Sequence, residues 1–110
     1  MIFKRYDIYL ADLDPTQGSE IKKTRPVVIV SMDEMNEALE TVVVCPMTTK
    51  LHLNWRSRIQ VNCAGRKAEI AVDQIRTVSK KRLRKHVDKL SSKNSAELRS
   101  LISEMYGEAS

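Results

Sequence analysis

The sequence predicts a mainly β fold, a small antiparallel sheet or barrel with helices at its edge, in one domain spanning residues 1–110. Three observations carry this reading. Five or six short runs rich in β-branched residues recur along the chain with turn formers between them. A sustained helical period appears only near the end, from Asn94 onward. No repeat, linker or low-complexity tract divides the chain, and 110 residues with 42 % apolar content suit a single core.

Taken in order, "RYDIYLADL" alternates. Tyr6, Ile8 and Leu10 share one side and Asp7, Tyr9 and Ala11 the other, the pattern of a half-buried strand. "DPTQGSEIKKT" is a polar loop of about 11 residues, a length that in a small domain often signals function. "RPVVIVS" and "TVVVCPMTT" are apolar at successive positions and read as strands buried on both faces. Pro26 should start its strand or lie on an edge, and Pro46 suggests a bulge or a strand end. Ser31 with Glu34 three residues later fits a capping box, followed by a short helix through Met35 and Leu39. "SRIQVN" alternates with Ile59 and Val61 inward, "AG" at 64–65 marks a turn, and "KAEIAV" and "QIRTVS" are two further strands. The run 76–89, "RTVSKKRLRKHVDK", is dominated by base. Asn94 and Glu97 repeat the capping-box spacing, and Leu98, Leu101, Ile102 and Met105 form the stripe of a terminal amphipathic helix closed by Gly107.

The net charge is +5 and unevenly placed: residues 1–50 hold six Lys/Arg against eight Asp/Glu, residues 51–110 thirteen against six. That asymmetry points to a polyanionic or acidic partner. The five aromatics, Phe3, Tyr6, Tyr9, Trp55 and Tyr106, do not form the stacking ladder of a general single-strand binder. No run reaches the ~18 apolar residues of a membrane span, and the N-terminus lacks the apolar region of a signal peptide, so a soluble cytoplasmic protein is expected. Cys45 and Cys63 fall in strand-like runs without a CxxC spacing, and His52 and His86 lie far apart, which argues against zinc. No nucleophile elbow, Walker loop or paired metal-binding carboxylate motif occurs.

The candidate chemistry lies where polar loops meet buried strands. Arg25 stands at such a junction, and a guanidinium there can grip a phosphate bidentately. Glu20, five residues earlier, could orient it or help move a proton. Lys22 and Lys23 could steer a polyanion. Thr48 and Thr49 end a buried strand, where a hydroxyl can donate to a phosphate oxygen. Asp73 and Gln74 occupy a tight link between two strands, where turn chemistry is the plainer reading.

Three blocks in order, "YDIYLADLDPTQGSEIKKTRPVVIVS", "VVVCPMTT" and "AVDQIRTVSKKRL", resemble the MazF/PemK family of toxin endoribonucleases, the MazF branch more than the PemK/Kid branch. The resemblance spans residues 6–83. It implies a compact SH3-like antiparallel barrel with the C-terminal amphipathic helix packed nearby, usually homodimeric. It implies metal-independent, sequence-selective cleavage of single-stranded RNA, mainly messenger RNA, with no cofactor. The RNA's own 2′-hydroxyl attacks the adjacent phosphate and leaves 2′,3′-cyclic phosphate and 5′-hydroxyl ends. Arg25 matches the family's catalytic arginine, Thr48 its threonine, and Glu20 the glutamate that supports the arginine. Gly18, Ser19, Lys22, Lys23, Thr49, Asp73, Gln74 and Arg76 would contact RNA. The PemK/Kid branch also uses an arginine two positions before the aspartate, here Ala71, and a histidine in the first loop, absent here. An acidic-tailed, MazE-like antitoxin would occupy the RNA surface, and DNA would be met only through the antitoxin complex. A non-catalytic nucleic-acid-binding or autoregulatory member and a CcdB-like gyrase inhibitor are the rival readings. Intact Arg25 and Thr48 oppose the first, and the loop block around Arg25 opposes the second.

Overall fold

The structure, a computed structural model, describes residues 2–13 and 23–108. Seven strands form one strongly curled antiparallel sheet: β1 (Asp7–Leu13), β2 (Lys23–Ile29), β3 (Thr41–Thr48), β4 (Arg58–Cys63), β5 (Arg66–Ala71), β6 (Arg76–Ser79) and β7 (Leu83–Lys89). Helix α1 (Asp33–Ala38) links β2 to β3, and α2 (Ser92–Tyr106) is the last element. The strand order is β4-β5-β3-β2-β1-β7, with β6 paired to β3 off this path. The result is a half-barrel with one C-terminal helix, the fold class expected from sequence.

The strands are buried on both sides of the central sheet. On one face Ile8, Val28, Cys45, Met47, Ile59, Val61 and Ile70 pack with Leu98 of α2. On the other, Tyr9, Ala11, Val27, Ile29, Val42, Val44, Val78 and Leu83 form a second apolar layer, with Phe3 against it. The expectation of a half-buried first strand is therefore corrected. Asp7, Ile8, Tyr9, Ala11 and Leu13 are all buried, because β7 and the chain ahead of β1 cover the side that alternation assigned to solvent. Both cysteines are buried and free, and burial pushes the Cys45 thiol up to about 12. Among the described residues no helix is long and apolar enough to cross a membrane.

Four other local expectations change. Strand β7, "LRKHVDK", was hidden inside the basic run; it is an edge strand on β1, where charged side chains point outward and discourage further pairing. Pro46 neither ends nor interrupts β3. It sits where that strand passes from pairing with β6 (Thr41–Val44) to pairing with β5 (Met47–Thr48). Ser31 does not cap α1. Its hydroxyl donates to the Asn36 side chain and accepts from the Val43 amide at 3.0 Å, tying the short helix to β3. Nor does Asn94 begin α2; Ser91 is the cap, its hydroxyl accepting from Asn94 N at 3.1 Å. Asn94 instead donates to Glu97 within the first turn.

The two turn signals carrying glycine behave differently. Ala64 (φ 50°) and Gly65 (φ 81°) both take the left-handed conformation that a two-residue hairpin between β4 and β5 demands. Ala64 is held there partly by its amide, which donates to Asp88 at 2.8 Å. Gly107 ends α2 with an ordinary negative φ, so conformation is not the reason for glycine. A β-carbon there would lie 2.4 Å from the Ser103 carbonyl oxygen.

The cap assignment is testable. Ser91→Ala should lower the unfolding free energy by about 1 kcal/mol in a urea titration, the usual effect of deleting a hydroxyl cap. Asn94→Ala, which leaves the Ser91 hydroxyl and the Asn94 amide in place, should lower it by less. The reverse order would restore Asn94 as the cap.

Candidate nucleic-acid interface

Strands β2 and β3 pair through Ile29–Val44, Val28–Cys45 and Val27–Pro46, and no further. Pro26, next on the side of β2 that faces β3, lacks the N–H that would extend the ladder. Beyond that point the strands part, and an open pocket of about 420 Å³ lies in the gap. Thr24, Arg25, Pro26, Met47, Thr48, Thr49 and Ala68 line it. Sequence-distant Arg25, Thr48 and Thr49 thus meet at one opening. Arg25 is anchored by β1 through its pairing with Ala11, and the neighbouring Thr24 hydroxyl donates to Asp12 at 2.9 Å. The Thr48 hydroxyl accepts from the Lys50 amide at 3.1 Å, which fixes its oxygen while its proton stays available to another acceptor.

Gly18, Ser19, Glu20 and Lys22 lie outside the described residues. Lys23 begins β2 opposite Leu13. Asp73 and Gln74 sit exposed in a 3-10 turn, and Arg76 lies exposed on β6 opposite Val44. None of these three lines the pocket.

What sequence reading missed is a charged network one strand away from Thr48. Glu69 faces Thr48 across the β3–β5 ladder and Gln60 across the β5–β4 ladder, so all three side chains lie on one face. Glu69 is fully buried. Its carboxylate accepts from the His52 amide (2.6 Å), the His52 ring (2.7 Å), Arg58 (2.6 Å) and Gln60 (2.8 Å). Burial pushes this carboxyl up, but the four donors outweigh it and hold it down at about 2. Arg58, almost buried itself, also donates through Nε to Asp73 at 2.8 Å. Asp73 is held below the usual carboxylate range, the Arg58 bond prevailing over its own desolvation, and Arg58 is correspondingly raised despite burial. Arginine only donates and carboxylate only accepts, so His52 Nδ1 must carry the hydrogen shared with Glu69. Its 3.3 Å approach to Arg58 is then a packing contact. Trp55 covers the pair: its ring stacks on His52 at 4.0 Å, and the Arg58 guanidinium lies 4.6 Å from its centre.

Arg58 lies directly opposite Ala71 in the β4–β5 register. The guanidinium that sequence comparison sought two positions before Asp73 therefore reaches that aspartate from the neighbouring strand. One signal was available: Arg58, Gln60 and Glu69 stand at outward positions of the two alternating runs, where a hairpin joined at 64–65 must set them side by side.

The curled β sheet sets an arginine and two threonines at one strand-end opening, donors whose chemistry suits phosphate oxygens. The comparisons give the particular family. The model for the PemK-like, MazF-like toxins of type II toxin–antitoxin systems matches residues 4–106. Endoribonuclease MazF of Staphylococcus saprophyticus is 35 % identical over 109 residues, covering 92 % of this chain and 88 % of its own. Among solved structures, a MazE–MazF complex from Deinococcus radiodurans superposes with a TM-score of 0.85 at 16 % identity, covering 99 % of each chain. A mycobacterial endoribonuclease in complex with its cognate antitoxin gives 0.81 at 18 % identity, covering 97 % of each. The chain belongs to the PemK-like, MazF-like toxin family.

The network sets a pH dependence. Because the Glu69 carboxyl is lower folded than unfolded, its contribution is complete above the ordinary carboxylate value and is lost as pH falls from about 4.5 toward about 2. Acid unfolding should steepen through that window. Glu69→Gln should flatten it, and at pH 7 should cost about 3 kcal/mol by leaving Arg58 with Asp73 as its one carboxylate partner and setting an amide NH2 against the other donors. Unfolding free energies measured by urea titration from pH 2 to 7 check both.

Proposed function

We propose that this chain is the toxin of a type II toxin–antitoxin system, acting as an endoribonuclease on single-stranded messenger RNA. The observation that carries the reading is the convergence of Arg25 and Thr48 on one open pocket at the end of the β2–β3 ladder. The identity with endoribonuclease MazF over most of both chains supports it.

The RNA's 2′-oxygen attacks the adjacent phosphorus, and the bond from phosphorus to the 5′-oxygen breaks. The 2′-hydroxyl loses its proton, the departing 5′-oxygen gains one, and the products are a 2′,3′-cyclic phosphate and a 5′-hydroxyl. The nucleophile belongs to the substrate, so the protein's task is to orient it and to stabilise negative charge on the phosphorane oxygens. Arg25 supplies a fixed positive charge and paired donors for those oxygens. Thr48 donates its hydroxyl proton to the same phosphate and aligns it. Neither requires a metal or a cofactor.

The proton acceptor is not found among the network carboxylates. Glu69 is held down at about 2 with its oxygens already accepting four hydrogen bonds, which makes it a poor base. Asp73 is engaged by Arg58. That leaves Glu20 of the first loop, or water, for the proton. Asp73 holds the guanidinium that supports Glu69. Gly18, Ser19, Lys22, Lys23 and Thr49 line the RNA path, with Gln74 and Arg76 at its edge. The working form is a homodimer, with RNA running between protomers. A MazE-like antitoxin inhibits by laying an acidic tail over the same basic surface.

Purified protein free of antitoxin should cut a long single-stranded RNA at discrete sites in excess EDTA, and end mapping should find 2′,3′-cyclic phosphates. A folded protein that makes no cuts overturns the reading. Arg25→Ala should reduce cutting at least 100-fold, the effect of removing one strong donor to a developing oxyanion, with an unchanged circular dichroism spectrum. Cutting at the wild-type rate would remove Arg25 from the mechanism.

A further inference from the structure

Trp55 is the only tryptophan of the chain and is half exposed, at 50 % of its surface. A large aromatic in a surface turn normally buries its ring against apolar neighbours. This one rests on two polar side chains. His52 and Arg58 lie on the same side of the indole. His52 Nδ1 and the Arg58 guanidinium approach within 3.3 Å and share one oxygen of Glu69, which two groups on opposite faces of a ring could not do. The other face of the ring is therefore the exposed one.

The support beneath the ring is rigid. His52 is bonded to Glu69 through both its amide and its ring, Arg58 through two acidic partners, and Glu69 is fully buried. That support adjoins the pocket: Glu69 faces the pocket residue Thr48 across one pair of strands, a Cα separation of about 5 Å.

We propose that the open face of Trp55 is a stacking platform for one unpaired nucleobase of the RNA, a nucleotide adjoining the scissile phosphate, and that it helps select where the chain is cut. This rests on the ribonuclease reading above. A flat face whose hidden side carries a guanidinium suits the π-surface of a base. Single-stranded RNA is read by splaying bases onto such aromatic planes. One platform accords with selection of a site within a strand, whereas a ladder of platforms would bind strands indiscriminately.

The single tryptophan makes the test direct, since emission excited at the red edge, where Tyr6, Tyr9 and Tyr106 hardly absorb, reports on Trp55 alone. The probe is an RNA segment containing a mapped cut, with 2′-O-methyl groups that prevent attack. It should quench the emission saturably. Replacing its nucleotides one at a time by abasic units should abolish quenching at a single position next to the cut. Trp55→Ala should lower kcat/KM for the intact RNA about 10- to 100-fold, the range of base–aromatic stacking. Trp55→Phe should recover part of it. On an RNA lacking that one base, wild type and Trp55→Ala should cut at equal rates, an equality that a merely structural role for the ring would not produce. RNA that binds by anisotropy and is cut, with no change in emission and no loss in Trp55→Ala, overturns the platform and leaves the ribonuclease reading standing. An RNA that wild-type protein never cuts overturns both.

Discussion

The fold turns on β3 serving three neighbours. Along one edge it pairs with β2, and along the other first with β6 and then with β5. A strand that changes partners midway must lie where the sheet bends, and the curl of the half-barrel follows. Pro46 stands at the exchange with no N–H to offer, so that position lacks one ladder bond without loss of burial. The same strand separates two apolar layers: Cys45 and Met47 face α2, and Val42 and Val44 face the opposite layer. Successive residues are therefore apolar, which explains a run such as "VVVCPM" that alternation alone would not produce.

The pocket and the charged network are consequences of how β3 ends. Its pairing with β2 stops at Pro46 while its pairing with β5 continues to Thr48. One side of Thr48 therefore opens toward Arg25, and the other is closed by Glu69. A fully buried carboxylate in a 110-residue protein would ordinarily be protonated or absent. Here four donors converge on it, two of them from His52, so the β3–β4 loop is fastened to the sheet at the point where it leaves the pocket. The network is better understood as a fixture for that loop than as a source of protons.

Much of this was legible in the sequence, and what was not has identifiable causes. Strands with strong β-branched runs, the terminal helix and the Ala64–Gly65 hairpin follow from local pattern. Strand β7 escaped because an edge strand has no apolar periodicity to display; its charges face water on both sides of "RKH". Ser31 and Asn94 matched a cap spacing that other contacts claimed, a long-range bond to Val43 and a one-turn shift of the helix start. Arg25 and Thr48 were singled out from their places at strand ends and from family resemblance, but only the strand order brings residues 23 apart in sequence to one opening. Glu69 was passed over because a lone glutamate in "KAEIAV" looks like the exposed member of an alternating strand. Its burial depends on Arg58 and Gln60 arriving from β4 and His52 from the loop, and no single segment encodes that.

The arrangement divides the work by rigidity. Charge stabilisation at a phosphorane gains most from groups that do not reorganise during reaction, and in the proposed reaction Arg25 and Thr48, both on strands, meet that requirement. Proton transfer is a separate task, which the proposed reaction leaves to Glu20 or to water. The network carboxylates are excluded from that task by the donors that keep them ionised: a carboxylate stabilised enough to stay charged inside the protein has lost the basicity needed to take a proton from a hydroxyl. Stability and basicity are opposed in the same group, and in this sheet Glu69 is committed to stability.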